Sequence, residues 1–264
     1  MCVLFVARAV HLDVPLIVAS NRDEFHGRPT APAAFWDDCP RVLAGRDLKA
    51  GGTWSGVTSG ERTSDGRWAA LTNIRAPQWM GSDAPRSRGA LVGDYLCGDD
   101  TPADFAAEAV AEREAYGGFN LLVGTLGADG GSLWYASSRV TEPRSLGPGL
   151  YGLSNGALGD PWPKVARGGQ AFQRWVEDDG LGEEDLFALM RDETRAPDDL
   201  LPQTGVGVEK ERFLSPLFIV SPDYGTRATT LLTVRADGAA RLVERSYRPD
   251  GTAAGTVAYD FRLA

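Results

Sequence analysis

MCVLFVARAVHLDVPLIVASNRDEF, residues 1–25, is the stretch whose reading decides the fold. Residues 2–10 are apolar and rich in β-branched side chains, His11-Leu12-Asp13 makes a turn, and Pro15 to Ala19 is a second apolar run. Two such runs joined by a turn predict a hairpin, and their lack of polar alternation predicts strands covered on both faces. The second run ends in Ser20-Asn21-Arg22-Asp23-Glu24, a burst of polar groups directly after buried residues.

The cysteine at position 2 has a particular chemistry open to it. If Met1 is removed, Cys2 carries both a thiol and a free α-amine. That amine has an ordinary pKa of about 7.7–8.0, so part of it is neutral near pH 7 and accepts a proton. A terminal amine beside a thiol is one way to activate a nucleophile. A cysteine near a chain start is also an ordinary small buried hydrophobe, and its position alone does not make it reactive.

Further along, strands are expected at Arg41–Gly45, Thr53–Val57, Trp68–Asn73, Phe119–Gly124, Ser132–Ser137 and Gly147–Leu153, then at Leu217–Val220 and Thr229–Val234. Arg241–Ser246 and Val257–Phe261 read as edge strands. Helices are expected at 88–96, at Thr101–Tyr116 with Thr101 as cap and Pro102 in the first turn, at Trp162–Trp175 and at Glu183–Arg191. Residues 27–40 read as irregular, 59–67 as a polar hairpin tip, 192–212 as a surface loop and Tyr224-Gly225-Thr226-Arg227 as a turn. The glycines of 45–56 have neither the P-loop nor the dinucleotide spacing. Blocks of strands alternating with blocks of helices predict an α+β protein with antiparallel sheets and helices packed outside them, in one domain over 1–264.

Composition narrows the function. A hydrophobic content of 43% and a charged content of 24% suit a globular protein. The net charge of −9, without a basic block, argues against a nucleic-acid partner. Two histidines, His11 and His26, leave little for a His-based metal site or a Ser-His-Asp triad. Cys2, Cys39 and Cys97 are too few and scattered for a zinc cluster or a disulfide framework, which points to a reducing cytoplasm. The N-terminal apolar run is too short for a signal peptide, and no apolar stretch is long enough for a membrane span.

Polar clusters recur at the ends of expected strands: Asn21-Arg22-Asp23-Glu24, Asn73-Ile74-Arg75, Ser154-Asn155 and Arg227. With Cys2 they supply the parts of acyl-transfer chemistry. The thiol attacks a carbonyl and the terminal amine moves the proton. Asparagine amides donate to the oxyanion, and an arginine favours the thiolate. Asn21, Glu24 and Arg75 are the expected substrate contacts. Each part has a plain alternative: asparagines form turns, Arg22 pairs with a neighbouring carboxylate at the surface, and Arg227 braces a turn.

The motifs Ala19-Ser20-Asn21-Arg22-Asp23-Glu24-Phe25, Arg28-Pro29-Thr30, Ala44-Gly45-Arg46-Asp47, Gly51-Gly52-Thr53-Trp54, Leu71-Thr72-Asn73, Arg88-Gly89, Gly118-Phe119-Asn120-Leu121, Leu153-Ser154-Asn155 and Tyr224-Gly225-Thr226-Arg227 together resemble the NRDE family, that of the transport and Golgi organisation protein 2. That family resembles the N-terminal nucleophile hydrolases, so the resemblance implies a four-layer αββα sandwich of antiparallel sheets. Its nearest catalytic pattern is that of the choloylglycine hydrolase and penicillin V acylase group. The resemblance then implies Cys2 as nucleophile, Asn155 and Asn73 as oxyanion donors, and Arg22, Asp23 and Arg227 as catalytic partners. The related group spaces its arginine and aspartate three apart, whereas Arg22 and Asp23 are adjacent, so Asp23 and Glu24 both stand as the carboxylate partner. Two functions follow. One is a cytoplasmic N-terminal cysteine hydrolase that cleaves a C–N amide bond of a small acylated molecule and needs no cofactor. The other is a non-catalytic carrier, for haem as cargo or for an acyl-type lipid ligand, on the same fold.

Overall fold

The computed structural model describes residues 2–58, 66–79, 84–178 and 182–263, with the backbone alone for Cys2. Its strands are β1 (Cys2–Arg8), β2 (Leu16–Phe25), β3 (Thr30–Phe35), β4 (Val42–Asp47), β5 (Ser55–Thr58), β6 (Gly66–Asn73), β7 (Phe119–Leu126), β8 (Leu133–Ser137), β9 (Arg144–Ser145), β10 (Gly149–Leu153), β11 (Tyr224–Val234), β12 (Ala239–Tyr247) and β13 (Ala253–Arg262). The α-helices are α1 (Arg88–Cys97), α2 (Pro102–Ala111), α3 (Pro163–Glu177), α4 (Glu183–Met190) and α5 (Val208–Phe213). Two antiparallel sheets result, a six-stranded one in the order β10-β1-β2-β11-β12-β13 and a seven-stranded one running β3 to β9 in chain order.

The first 25 residues fold as the expected hairpin, in register from Cys2 opposite Arg22 to Arg8 opposite Leu16. Neighbouring residues of a strand point to opposite faces, and the apolar residues sort accordingly. Leu4, Val6, Leu16 and Val18 join Leu43, Trp68, Ala70 and Leu122 of the other sheet in one buried cluster. Val3, Phe5, Ile17 and Ala19 join Phe172 and Val176 of α3 and Leu186 and Phe187 of α4. On the second sheet, Val42, Ala69, Leu71, Leu121 and Val123 pack against Leu91, Tyr95 and Leu96 of α1 and Phe105 and Ala109 of α2. This double coverage is why β1 and β2 are apolar on both faces. Gly168 lets α3 approach closely, since a Cβ there would meet the Phe5 ring at 2.5 Å. Thr101 caps α2 as expected, accepting the Asp104 N–H at 3.2 Å.

Several local expectations are corrected. The polar run Ser20–Glu24 lies inside β2 rather than after it, because β11 pairs with β2 as far as Tyr224 opposite Phe25. Tyr224–Arg227 is correspondingly strand, with a register shift between Thr226 and Ala228, not a turn. Residues 30–35 form an edge strand despite Pro32, and proline is tolerated at a sheet edge. Leu217–Val220 is not a strand: the Leu217 carbonyl is taken by Asn21 and the Ile219 N–H by Thr226 Oγ1. The 192–212 loop contains the start of α5. Most of the expected 59–67 tip, residues 59–65, lies outside the described residues, while Gly66 and Arg67 already belong to β6.

The cysteine reading is also corrected. Cys39 and Cys97 form a disulfide across 58 residues, with Cα atoms 6.2 Å apart. Packing of α1 onto the second sheet carries its C-terminal Cys97 to the loop before β4. The cysteine content therefore no longer argues for a reducing compartment. Among the described residues, no helix is long and apolar enough to cross a membrane, and no group of three or more His, Cys, Asp or Glu is placed to hold a metal ion.

Candidate active site

The site forms where the ends of β2, β4 and β6 meet the start of α1. Cys2 is the first residue of β1, a strand flanked by β2 and β10, and its Cα lies opposite that of Arg22. Arg22 and Asp23, adjacent in β2, serve opposite faces. Arg22 lies on the face toward the other sheet: its guanidinium stacks 4.3 Å from the centre of the Trp54 ring and donates to Thr30 Oγ1 at 3.1 Å. Its nearest carboxylate is Glu24, at 4.0 Å. Asp23 accepts the Thr226 hydroxyl at 2.7 Å from the partner strand. The pairing left open between Asp23 and Glu24 thus resolves to Glu24 for Arg22, because residues two apart share a strand face.

Asp23 is fully buried. Burial pushes its carboxyl above the ordinary aspartate value, while Lys164, the amino terminus, the Thr226 hydroxyl and Arg75 all favour the charged form. Arg28 donates to Asp47 at 2.7 and 2.8 Å and lies 3.8 Å from Glu24.

Asn73 and Asn155 are brought together. The Asn155 amide donates to the Asn73 carbonyl at 2.8 Å, and the Arg75 N–H donates to the Asn155 carbonyl at 2.8 Å. Beneath them the buried Asn120 side chain donates to the Gly156 carbonyl at 2.7 Å and accepts from Tyr135 and Ser137 at 2.8 and 3.0 Å. That network holds the turn carrying Asn155. Arg75 is buried, ion-paired with Glu211 of α5, and 4.8 Å from the Trp162 ring centre.

Arg22, Asp23, Glu24, Trp54, Asn73 and the Ser87–Gly89 start of α1 line a polar chamber of about 110 Å³. Glu24, Arg28, Asn73 and Arg88 also line an outer hollow of about 540 Å³, whose remaining wall includes Phe25, Ile74, Trp79, Phe213 and Tyr224. The two spaces share Glu24, Arg28, Asn73 and Arg88 as walls, the smaller lined mainly by polar groups and the larger mainly by apolar ones.

Three expected residues line neither space: Asn21, Arg227 and Asn155, which is buried and reaches Asn73 through the Asn73 carbonyl. Asn21 does not line the chamber: its amide donates to the Met190 and Leu217 carbonyls at 2.8 and 2.9 Å, and its oxygen accepts from Thr229 at 2.6 Å. It pins α4 and the 217 segment to the sheet. Arg227 donates to the carbonyls of Phe25, His26 and Arg28 at 2.9, 3.2 and 3.2 Å, bracing the turn after β2, and lines a different cavity with Trp54 and Glu244.

Lys164, Thr226, Glu211 and Glu244 escaped the sequence reading. Lys164 carried a usable signal: three of the 27 basic residues are lysines, and this one sits between Pro163 and Val165 at the head of an amphipathic helix. Glu244 lies between the sheets, accepting the Ala33 N–H at 2.7 Å and the Thr230 hydroxyl at 3.1 Å. Burial pushes its carboxyl up to about 7, with Arg22 acting against the shift. An acid whose folded pKa is raised stabilises the fold below its unfolded pKa, and that contribution is lost as pH rises through the folded value. Between pH 4.5 and about 7, the native protein is therefore expected to lose stability relative to Glu244→Gln, by about 3 kcal/mol. Parallel urea titrations across that window check this, and equal slopes would contradict it.

These features define a two-sheet α+β protein with a polar chamber where strand ends meet a helix start. The chain belongs to the Transport and Golgi organisation 2 family, whose model matches residues 1–249. It is 37% identical over 267 residues to the bovine (Bos taurus) Transport and Golgi organization protein 2 homolog, covering 94% of this chain and 92% of that one. It is 35% identical to the human homolog over 246 residues, covering 88% and 86% of the two chains. The Drosophila melanogaster protein is 27% identical over 276 residues, with 93% and 92% covered.

Proposed function

We propose that this protein is an N-terminal cysteine hydrolase that cleaves a C–N amide bond of a small acylated molecule. The observation that carries the reading is the register of β1: the Cys2 backbone stands opposite that of Arg22 and one step from buried Asp23, and both of those residues line the polar chamber. The order helices, sheet, sheet, helices, implied by the three core clusters, is the one expected of an N-terminal nucleophile hydrolase and supports the same reading.

In this reading Met1 is removed. The Cys2 thiol attacks the substrate carbonyl and its proton passes to the α-amine. Asn73 stabilises the oxyanion, with Asn155 holding the Asn73 backbone and offering its second N–H. The C–N bond breaks, the proton goes to the leaving amine, and water then hydrolyses the thioester. Arg22 raises the thiolate fraction, and ionised Asp23 favours the ammonium form at the terminus. Turnover of a panel of N-acyl aminocoumarins by the native protein, with Cys2→Ala as control, tests the proposal.

A second reading, a carrier of haem or an acyl-type ligand, is favoured by the outer hollow, with its aromatic wall and the cations Arg28, Arg75, Arg88 and Lys210. Neither His11 nor His26 is among its lining residues, so its walls offer haem no imidazole. We place hydrolysis first.

A further inference from the structure

We propose that Lys164 is a positioning residue of the candidate site: its ammonium pairs with Asp23, keeps it a carboxylate, and so sets the charge beside the start of β1. The inference rests on the hydrolase reading and deepens it.

Lys164 is 2% exposed, in the first turn of α3. A cation is poorly placed there on two counts. Burial strips its hydration, and the start of a helix carries partial positive charge. A lysine so placed needs a carboxylate. Three acids are buried among the described residues: Asp23, Glu211 and Glu244. Glu211 is ion-paired with Arg75. Glu244 lies on the opposite side of the first sheet, between the sheets, where it accepts from the Ala33 N–H and the Thr230 hydroxyl. Asp23 continues the β2 row Ile17, Ala19, Asn21, and the first two of these pack against α3 and α4. The beginning of α3 is tied to the same region, with Trp162 beneath Arg75 and Val165 against Gly152 of β10.

The charges acting on Asp23 agree. Lys164 is the strongest of those favouring its ionised form, ahead of the amino terminus and Arg75. Arg22 and Glu24, its neighbours along β2, serve the other face of the strand.

The experiment follows the Asp23 carboxyl by ¹³C NMR, assigned with Asp23→Asn, in the native protein, Lys164→Met and Lys164→Arg. An opposite charge at close range lowers a carboxyl pKa by about 1–3 units. The Asp23 midpoint should therefore rise by about that much in Lys164→Met and return most of the way in Lys164→Arg. The pH midpoint of Cys2 alkylation should move with it. An unmoved Asp23 midpoint in Lys164→Met overturns the pairing. A moved Asp23 with an unchanged Cys2 profile overturns the positioning role and leaves the hydrolase reading intact. A native Cys2 no faster than an unperturbed thiol overturns that reading, and with it the role of Lys164 in the site. Should Lys164→Met not fold, the double variant with Asp23→Asn is expected to regain stability. A double variant no more stable than the single overturns the pairing.

Discussion

Cys2→Ala is expected to lower turnover of the acyl-amide panel by about 10⁴-fold or more, to background. Removing a nucleophile deletes the covalent route, leaving only what oxyanion donors and binding supply. Asn73→Ala is a milder lesion of the same machinery, because removing one oxyanion donor costs about 10²–10³-fold. The two should therefore rank, with Asn73→Ala intermediate. Neither disturbs the packing that holds β1, which comes from Val3 and Phe5 on one face and Leu4 and Val6 on the other. Unchanged circular dichroism with turnover lost is the expected pair of results. Turnover that survives Cys2→Ala would contradict the assignment of the nucleophile.

The second large effect concerns stability. Glu211→Ala is expected to destabilise the fold by about 3–5 kcal/mol, because it strands a buried arginine. Arg75 and Glu211 side chains are 3% and 4% exposed, so water screens the pair little. Glu211 also accepts the Thr204 N–H at 2.9 Å, and that donor loses its acceptor too. The pair ties α5 to the segment after β6, and Lys210 and Phe213 of α5 border the outer hollow together with Ile74 and Arg75. Replacing both partners with apolar residues, Arg75→Met with Glu211→Leu, should recover most of the loss, since a buried pair contributes little net stability over a packed apolar one. Denaturant unfolding of the three proteins measures this. A loss under about 1 kcal/mol in Glu211→Ala would mean that water reaches Arg75.

The parts of the fold that announce themselves in the sequence are those where one physical signal dominates. The double-sided apolarity of residues 2–19 reflects helices on one face and a second sheet on the other, and it predicts the central hairpin directly. Thr101 and Pro102 mark a helix start because capping is local. Arg22, Asp23 and Asn73, which line the chamber, are legible as polar groups at the limits of apolar runs. What the sequence hid depends on distant partners. Thr226 looked like a turn residue because nothing local indicates that β11 continues to pair with β2. Leu217–Val220 reads as a strand by composition, yet its polar backbone atoms are claimed by Asn21 and Thr226. Asn21 sits in the middle of the polar run but serves the packing of α4, which only the alternation of faces reveals. Glu211 lies in a polar stretch, and the partners that accompany its burial, Arg75 and Thr204, leave no local signal. The disulfide of Cys39 with Cys97 depends on how α1 lies across the sheet.

The most direct measurement is peptide-mapped iodoacetamide labelling of the native protein from pH 5 to 9, with the amino terminus read from the same mass spectra. The account expects a terminus at Cys2, alkylating with a midpoint well below the ordinary thiol value of about 8.5, while Cys39 and Cys97 stay unlabelled until reduced. Retained Met1, or a Cys2 that labels no faster than an unperturbed thiol, would contradict the hydrolase and leave the outer hollow to ligand carriage.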